Sequence, residues 1–171
     1  MRKLRQRIYK RALNLVCSTH GEVKGVKPVE VRTLSIADYD SVIKLWNKAG
    51  LPFRPKGRDS KRAMERQMVS SPDLFIGAFY QGKLVGVVIG SYDGRMKGWI
   101  NRLAIDPERR RMGIAQRLIN AVERNLEKRG AAILCALFET PNNGSLSLFK
   151  KLGYTVHRDI LYASKRKSED A

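Results

Sequence analysis

A chain of 171 residues is enough for one domain with a sizeable core, and its 43% hydrophobic residues suit a globular protein. No apolar run approaches the ~20 residues of a membrane span, and two cysteines with two histidines, set at no metal-ligand spacing, leave no basis for a disulfide framework or a metal site. The formal charge of +18 favours anionic or polyanionic partners over polycationic ones, and the sparse cysteine suits a reducing, cytoplasmic compartment.

Residues 1–28 form a basic extension with eight Lys or Arg against one Glu, a net +7. Leu4, Ile8, Ala12 and Leu15 recur every three to four residues, as on an amphipathic helix. That pattern leaves open a nucleic-acid arm, a membrane-surface helix, a targeting peptide or an accessory helix. A domain is expected over 29–164, followed by a charged tail, 165–171. Its first strand is predicted at 29–34. Ser35 and Asp38 then read as a capping box opening a helix that carries Ile36, Tyr39, Val42, Ile43 and Trp46. The segment Gly50-Leu-Pro-Phe-Arg-Pro ends it, and a second helix is predicted over 60–69. Strands at 74–80 and 84–92 make a hairpin about Gln81-Gly82-Lys83. A turn at Asp93-Gly94 leads to a strand at 99–105, completing an antiparallel meander.

Residues 107–116, Pro-Glu-Arg-Arg-Arg-Met-Gly-Ile-Ala-Gln, lie between that strand and a helix marked by Ile114, Ala115, Leu118, Ile119, Val122 and Leu126. The first turn of a helix leaves backbone N–H groups unpaired at the positive end of its dipole, so an anion is expected there, beside Arg109, Arg110 and Arg111. Lys128, Arg129 and Gly130 give a stop signal. An apolar run at 131–138 then closes a strand-helix-strand unit, whose two strands must be parallel. A short helix within 142–154, ended by Gly153, precedes two final strands at 154–158 and 160–164. The expected class is therefore α/β (α+β): a mixed sheet of six to seven strands with an antiparallel N-terminal meander, a central parallel βαβ unit and about four helices.

The spacing Arg110-x-x-Gly113-x-Ala115 resembles the pyrophosphate-binding signature of the GNAT superfamily of acyl-CoA-dependent N-acyltransferases. Asn142, Ser145, Phe149 and Leu152-Gly153-Tyr154 resemble that superfamily's second signature, and two segments are similar to uncharacterised archaeal members. The resemblance implies transfer of an acetyl group from acetyl-CoA, as cosubstrate, to a primary amine by direct attack in a ternary complex. It further implies that the backbone of Leu103, Ala104 and Ile105 pairs with the pantetheine arm. The amides of Arg111, Met112, Gly113, Ile114 and Ala115 would hold the pyrophosphate, with added charge from Arg110 and Arg111. Asn142 and Phe149 would meet the cofactor from the next loop and helix, although Phe149 stands where many relatives have a proton-donating tyrosine. Many relatives also carry a glutamate on the strand at 99–105, where Trp99, Asn101 and Leu103 are read as sharing one face without an acid. Glu139 is therefore the carboxylate expected to serve catalysis, with Asn101 orienting a water. Family acceptor sites are set by the connection at 51–60 and the stretch at 157–159. Arg54, Lys56 and Arg58 in the first of these favour an anionic acceptor or a protein or peptide N-terminus. The excess charge also leaves room for a catalytically weak domain that contacts RNA or a ribosome, and a homodimer is compatible with the sequence.

Overall fold

The computed structural model describes residues 29–168, so the basic extension and its expected helix lie outside the described residues. Strands β1 (Glu30–Thr33), β2 (Phe75–Tyr80), β3 (Lys83–Tyr92) and β4 (Lys97–Ile105) pair antiparallel in sequence order, and β5 (Ile133–Cys135) joins β4 in parallel. The hairpin between β2 and β3 closes with Tyr80 opposite Lys83, and Gln81 and Gly82 both take positive φ, 52° and 74°. That two-residue turn follows the natural twist of its strands.

Helices α1 (Tyr39–Ala49) and α2 (Lys61–Ser70) cover one face of the sheet. Ser35 and Asp38 form the expected capping box, on a 3-10 turn at Ile36–Asp38 that leads into α1. Ser60 caps α2 by accepting from the Ala63 amide at 3.4 Å. Trp46, fully buried, sits at the centre of this layer with Val42, Leu45, Met64, Met68, Phe75 and Phe79. Helices α3 (Ile114–Lys128) and α4 (Asn143–Lys151) cover the other face, where Ile114, Leu118, Ile119, Val122 and Leu126 are buried, matching the apolar stripe read from the sequence. Each such side chain stabilises the fold by about 1.5–3 kcal/mol.

Helix α3 lies close to the sheet because three glycines face it. A Cβ on Gly86 would meet Leu118 at 2.9 Å, one on Gly90 would meet Val122 at 2.6 Å, and one on Gly98 would meet Leu126 at 2.9 Å. The glycines thus form a groove that receives the four-residue repeat of the helix and fixes where its N-terminus falls relative to β4.

The sheet has five strands among the described residues, not six or seven. The expected strand at 131–138 is limited to Ile133–Cys135, which pairs with β4 only over Lys97–Trp99 and leaves Cys135 half-buried. The expected strands at 154–158 and 160–164 do not form. Every residue from 157 to 168 is exposed, Leu161 to 95%. With no apolar surface covered, nothing offsets the entropy of ordering that segment against an edge.

Gly90→Ala should destabilise the protein by about 1–3 kcal/mol through overpacking against Val122. In urea unfolding, Gly90→Ala combined with Val122→Ala should lose less than the sum of the two single variants.

Candidate active site

The ladders on the two sides of β4 have different lengths. On the β3 side, pairing continues to Ile105, whereas on the β5 side it stops at Trp99. From Ile100 to Ile105, the edge facing β5 has no strand partner among the described residues, and its N–H and C=O groups are open to a ligand. A bulge lies in the same stretch. Asn101 opposes Ile89 and Ala104 opposes Val87, so Arg102 and Leu103 both stand opposite Val88, with Arg102 at φ 53°. The extra residue resets the alternation. Leu103 and Ile105 pack with the α3 layer, while Arg102 and Ala104 turn toward α1. Trp99, Asn101 and Leu103 therefore do not share a face, because the bulge falls between the last two. The strand still presents no acid.

At the end of this open edge the chain turns into α3. The loop before the helix is fastened on several sides. Lys48 Nζ lies 2.9 Å from both Asp106 Oδ1 and Glu108 Oε1, Arg110 donates to the Ala49 carbonyl at 3.3 Å, and the Asp106 amide donates to the Val85 carbonyl at 2.9 Å. Hydrogen bonding to Glu108, then to Asp106, holds the Lys48 ammonium above its usual range. The guanidinium of Arg109 lies 4.4 Å from the centre of the Tyr80 ring. The next three residues are exposed, with Arg111 at φ 63° and Gly113 at φ 74°, and no side chain caps the helix. Left-handed residues at this point turn successive amides toward one concavity, which suits an anion. A Cβ on Gly113 would meet nothing within 4 Å, so the glycine is required by its φ, and the space above it is clear for a phosphate. The residues present thus fit a pyrophosphate.

The face of β4 toward α1 holds a charged pair that sequence reasoning missed. Asp59, 5% exposed, is the one buried charged residue among the described residues. It accepts from the Arg102 guanidinium and from the Arg54 amide at 2.7 Å. Arg102 also donates to the Pro52 carbonyl at 2.6 Å and lies 5.1 Å from the centre of the Trp46 ring. Burial pulls the Arg102 guanidinium below its usual range, against the opposing influence of Asp59. Tyr39 donates to the Asp59 carbonyl at 3.0 Å, so this pair organises the connection at 51–60, leaving Arg54, Lys56 and Arg58 exposed. Two signals pointed here: a lone acid in a basic loop, and an arginine inside an apolar strand.

The remaining residues singled out by sequence have the following places. Asn142 caps α4, its side chain accepting from the Ser145 amide at 3.3 Å, which leaves its amide nitrogen available. Phe149 is 2% exposed, with its ring 5.0 Å from Phe138 and 4.8 Å from Tyr154. It belongs to the core layer beneath α4. Asn101 is half-buried and donates to Ser91 Oγ at 3.2 Å. Glu139 is exposed in the segment after β5, and its charge acts on Arg102. Ile114 is buried, Ala115 half-buried and Met112 exposed. Residues 157–159 are exposed and add no wall to the site. Among the described residues no cluster of His, Cys, Asp or Glu is placed to hold a metal, and no helix is long and apolar enough to cross a membrane.

The sequence profile described as Acetyltransferase (GNAT) family matches residues 39–154. An acetyltransferase of Sodalis glossinidius is 34% identical over 142 residues, covering 83% of this chain and 98% of that protein. Among solved structures, Ard1 of Thermoplasma volcanium is similar with a TM-score of 0.67 and 21% identity, over 75% of this chain and 84% of that one. The PaiA N-acetyltransferase of Thermoplasma acidophilum, solved in complex with coenzyme A, gives a TM-score of 0.66 and 23% identity, over 77% and 92% of the two chains.

Asp59→Asn should cost about 3 kcal/mol, because it strands the half-buried Arg102 charge. In chemical unfolding, Asp59→Asn combined with Arg102→Met should be less destabilised than the two single losses added together.

Proposed function

Because the chain belongs to the acetyltransferase (GNAT) family, we propose that it moves the acetyl group of acetyl-CoA onto the primary amine of an anionic acceptor or a peptide N-terminus. The observation that carries this reading is the continuity of two unsatisfied backbone surfaces. The open edge of β4 runs directly into the uncapped, left-handed entrance of α3. The first suits a chain of amides and the second a pyrophosphate, in the order in which coenzyme A carries them.

When bound, acetyl-CoA supplies a thioester carbonyl that an uncharged amine attacks directly, with the thiolate departing. In this reading the open-edge amides of Leu103 and Ile105, on either side of Ala104, orient the acyl arm and offer an N–H to charge developing on the carbonyl oxygen. The amides from Arg111 to Ala115 hold the pyrophosphate, and Arg111 adds charge. Arg110 contributes chiefly by holding the loop to α1, since its guanidinium is committed to the Ala49 carbonyl. Asn142 reaches the arm with its free amide nitrogen. Phe149 has no proton to donate and serves as the apolar floor, which is tolerable because a thiol of reference pKa about 8.5 can leave into water as thiolate. Glu139 takes the proton of the attacking amine, directly or through a water oriented by Asn101. The exposed Arg54, Lys56 and Arg58 draw a carboxylate or phosphate of the acceptor to the α1 side of the site.

Acetyl-CoA or CoA at 100 times its dissociation constant should add about 2.7 kcal/mol, a rise of roughly 5–10 °C in melting temperature. ATP should not reproduce it, and a folded Gly113→Glu variant should not show it. In a thiol-release assay, acidic peptides should react faster than spermidine, and Glu139→Gln should lower kcat by about 100-fold or more. No thermal shift at millimolar acetyl-CoA would overturn the reading. Faster turnover of spermidine would overturn the anionic acceptor alone.

A further inference from the structure

The charges of α3 are sorted by side rather than interleaved. Glu123 and Glu127 lie on the flank toward Tyr154, whose hydroxyl donates to Glu123 at 2.6 Å. Arg117, Arg124 and Lys128 lie on the opposite flank, along a groove of about 550 Å³ between α3 and β1. The sorting places like charges four residues apart twice, Glu123 with Glu127 and Arg124 with Lys128, each of which weakens a helix by about 0.2–0.5 kcal/mol. A merely solvated helix has no need of that arrangement. Val31, Thr33 and Ile76 form the floor, and Asn120 adds a neutral donor to the cationic wall.

The nearby acids do not neutralise the wall. Asp73, whose field reaches Lys128, is held by Arg129. Asp38 is held by Arg32, whose guanidinium also stacks 3.8 Å from the centre of the Phe79 ring on the other face. Among the described residues, no ion pair within 4 Å involves Arg117, Arg124 or Lys128. Three cations outside any ion pair within 4 Å, with Glu127 three residues from Arg124 on the same helix, therefore span about 16 Å, at 1.5 Å per residue.

We propose that this groove binds the phosphodiester backbone of a nucleic acid, independently of the acetyl-transfer site. Guanidinium and amide groups are the usual partners of phosphate oxygens, and a row of separated cations matches a polymer with regularly spaced charges better than a single small anion. No aromatic side chain lines the groove, so it has no platform for stacking bases and reads no sequence. A duplex, whose bases are already stacked, is the favoured form. The chain's overall charge of +18 adds long-range attraction of the same sign.

The test uses the full chain and labelled mixed-sequence RNA and DNA duplexes, followed by fluorescence anisotropy between about 50 mM and 200 mM salt. Arg124→Gln with Lys128→Gln should lower affinity about tenfold or more at the lower salt and reduce the slope of log affinity against log salt by about 1.8. Lys165→Gln with Lys167→Gln removes the same charge from the exposed tail and should change affinity less than threefold. Both variants should keep the wild-type melting temperature and CoA-induced shift. If the groove variant fails to fold, Arg124→Gln alone should still reduce the slope by about 0.9. RNA binding in preference to DNA, or the reverse, identifies the source and supports the groove. Equal losses from the two double variants would overturn the proposal by reducing it to diffuse charge. Binding of polyglutamate without either duplex would overturn it in favour of an acidic peptide.

Discussion

Strand β4 keeps its hydrogen-bond ladder with β3 to Ile105 but loses its ladder with β5 after Trp99, and the backbone groups released there must find other partners. The bulge at Arg102 and Leu103 lies within the stretch of β4 that β5 no longer pairs, where it increases the local twist. The other features of the site follow from that divergence. The wedge points at the entrance of α3, whose position is set by the glycine groove of Gly86, Gly90 and Gly98. Its α1 side is lined by the arginine that the bulge turns outward.

That turned arginine links sheet irregularity to the connection at 51–60. In a regular strand, residue 102 would face α3, where a guanidinium has no partner. Through the bulge it faces α1, rests on Trp46 and meets Asp59, which in turn shapes the connection at 51–60. A single extra residue in β4 thus turns Arg102 toward α1, where it orders the connection at 51–60. The pair is a positioning device: Asp59 holds Arg102, with Arg58 Nε a further 3.6 Å partner, and Arg54 and Lys56 of the loop stay exposed.

Local signals in the sequence were enough to read most of the elements. Capping by Ser35 and Asp38, the Gln81-Gly82 turn, the apolar stripe of α3 and the helix entrance at Gly113 all depend on residues close together in the chain. Non-local pairing was harder to read. The run at 131–138 has the composition of a full strand, yet only Ile133–Cys135 pairs, because the length of β5 is set by where β4 diverges. The tail at 154–164 contains Val156, Ile160, Leu161 and Tyr162, but strand-forming residues make no strand where, from 157 to 164, none of them is buried. The left-handed entrance to α3 at Gly113 was legible for the same reason as the helices. The Asp59 and Arg102 pair was not, since it joins residues 43 apart through a bulge that alternation cannot reveal.

Backbone amide hydrogen exchange on the full chain, with and without saturating acetyl-CoA, tests the central claim most directly, because it reads the groups on which the site is built. Protection should rise most at 103–105 and 111–115, with little change on β1 and β2. Protection confined to another face, or a uniform rise that spares the β4 edge and the α3 entrance, would contradict the assignment of the wedge as the acyl-CoA site.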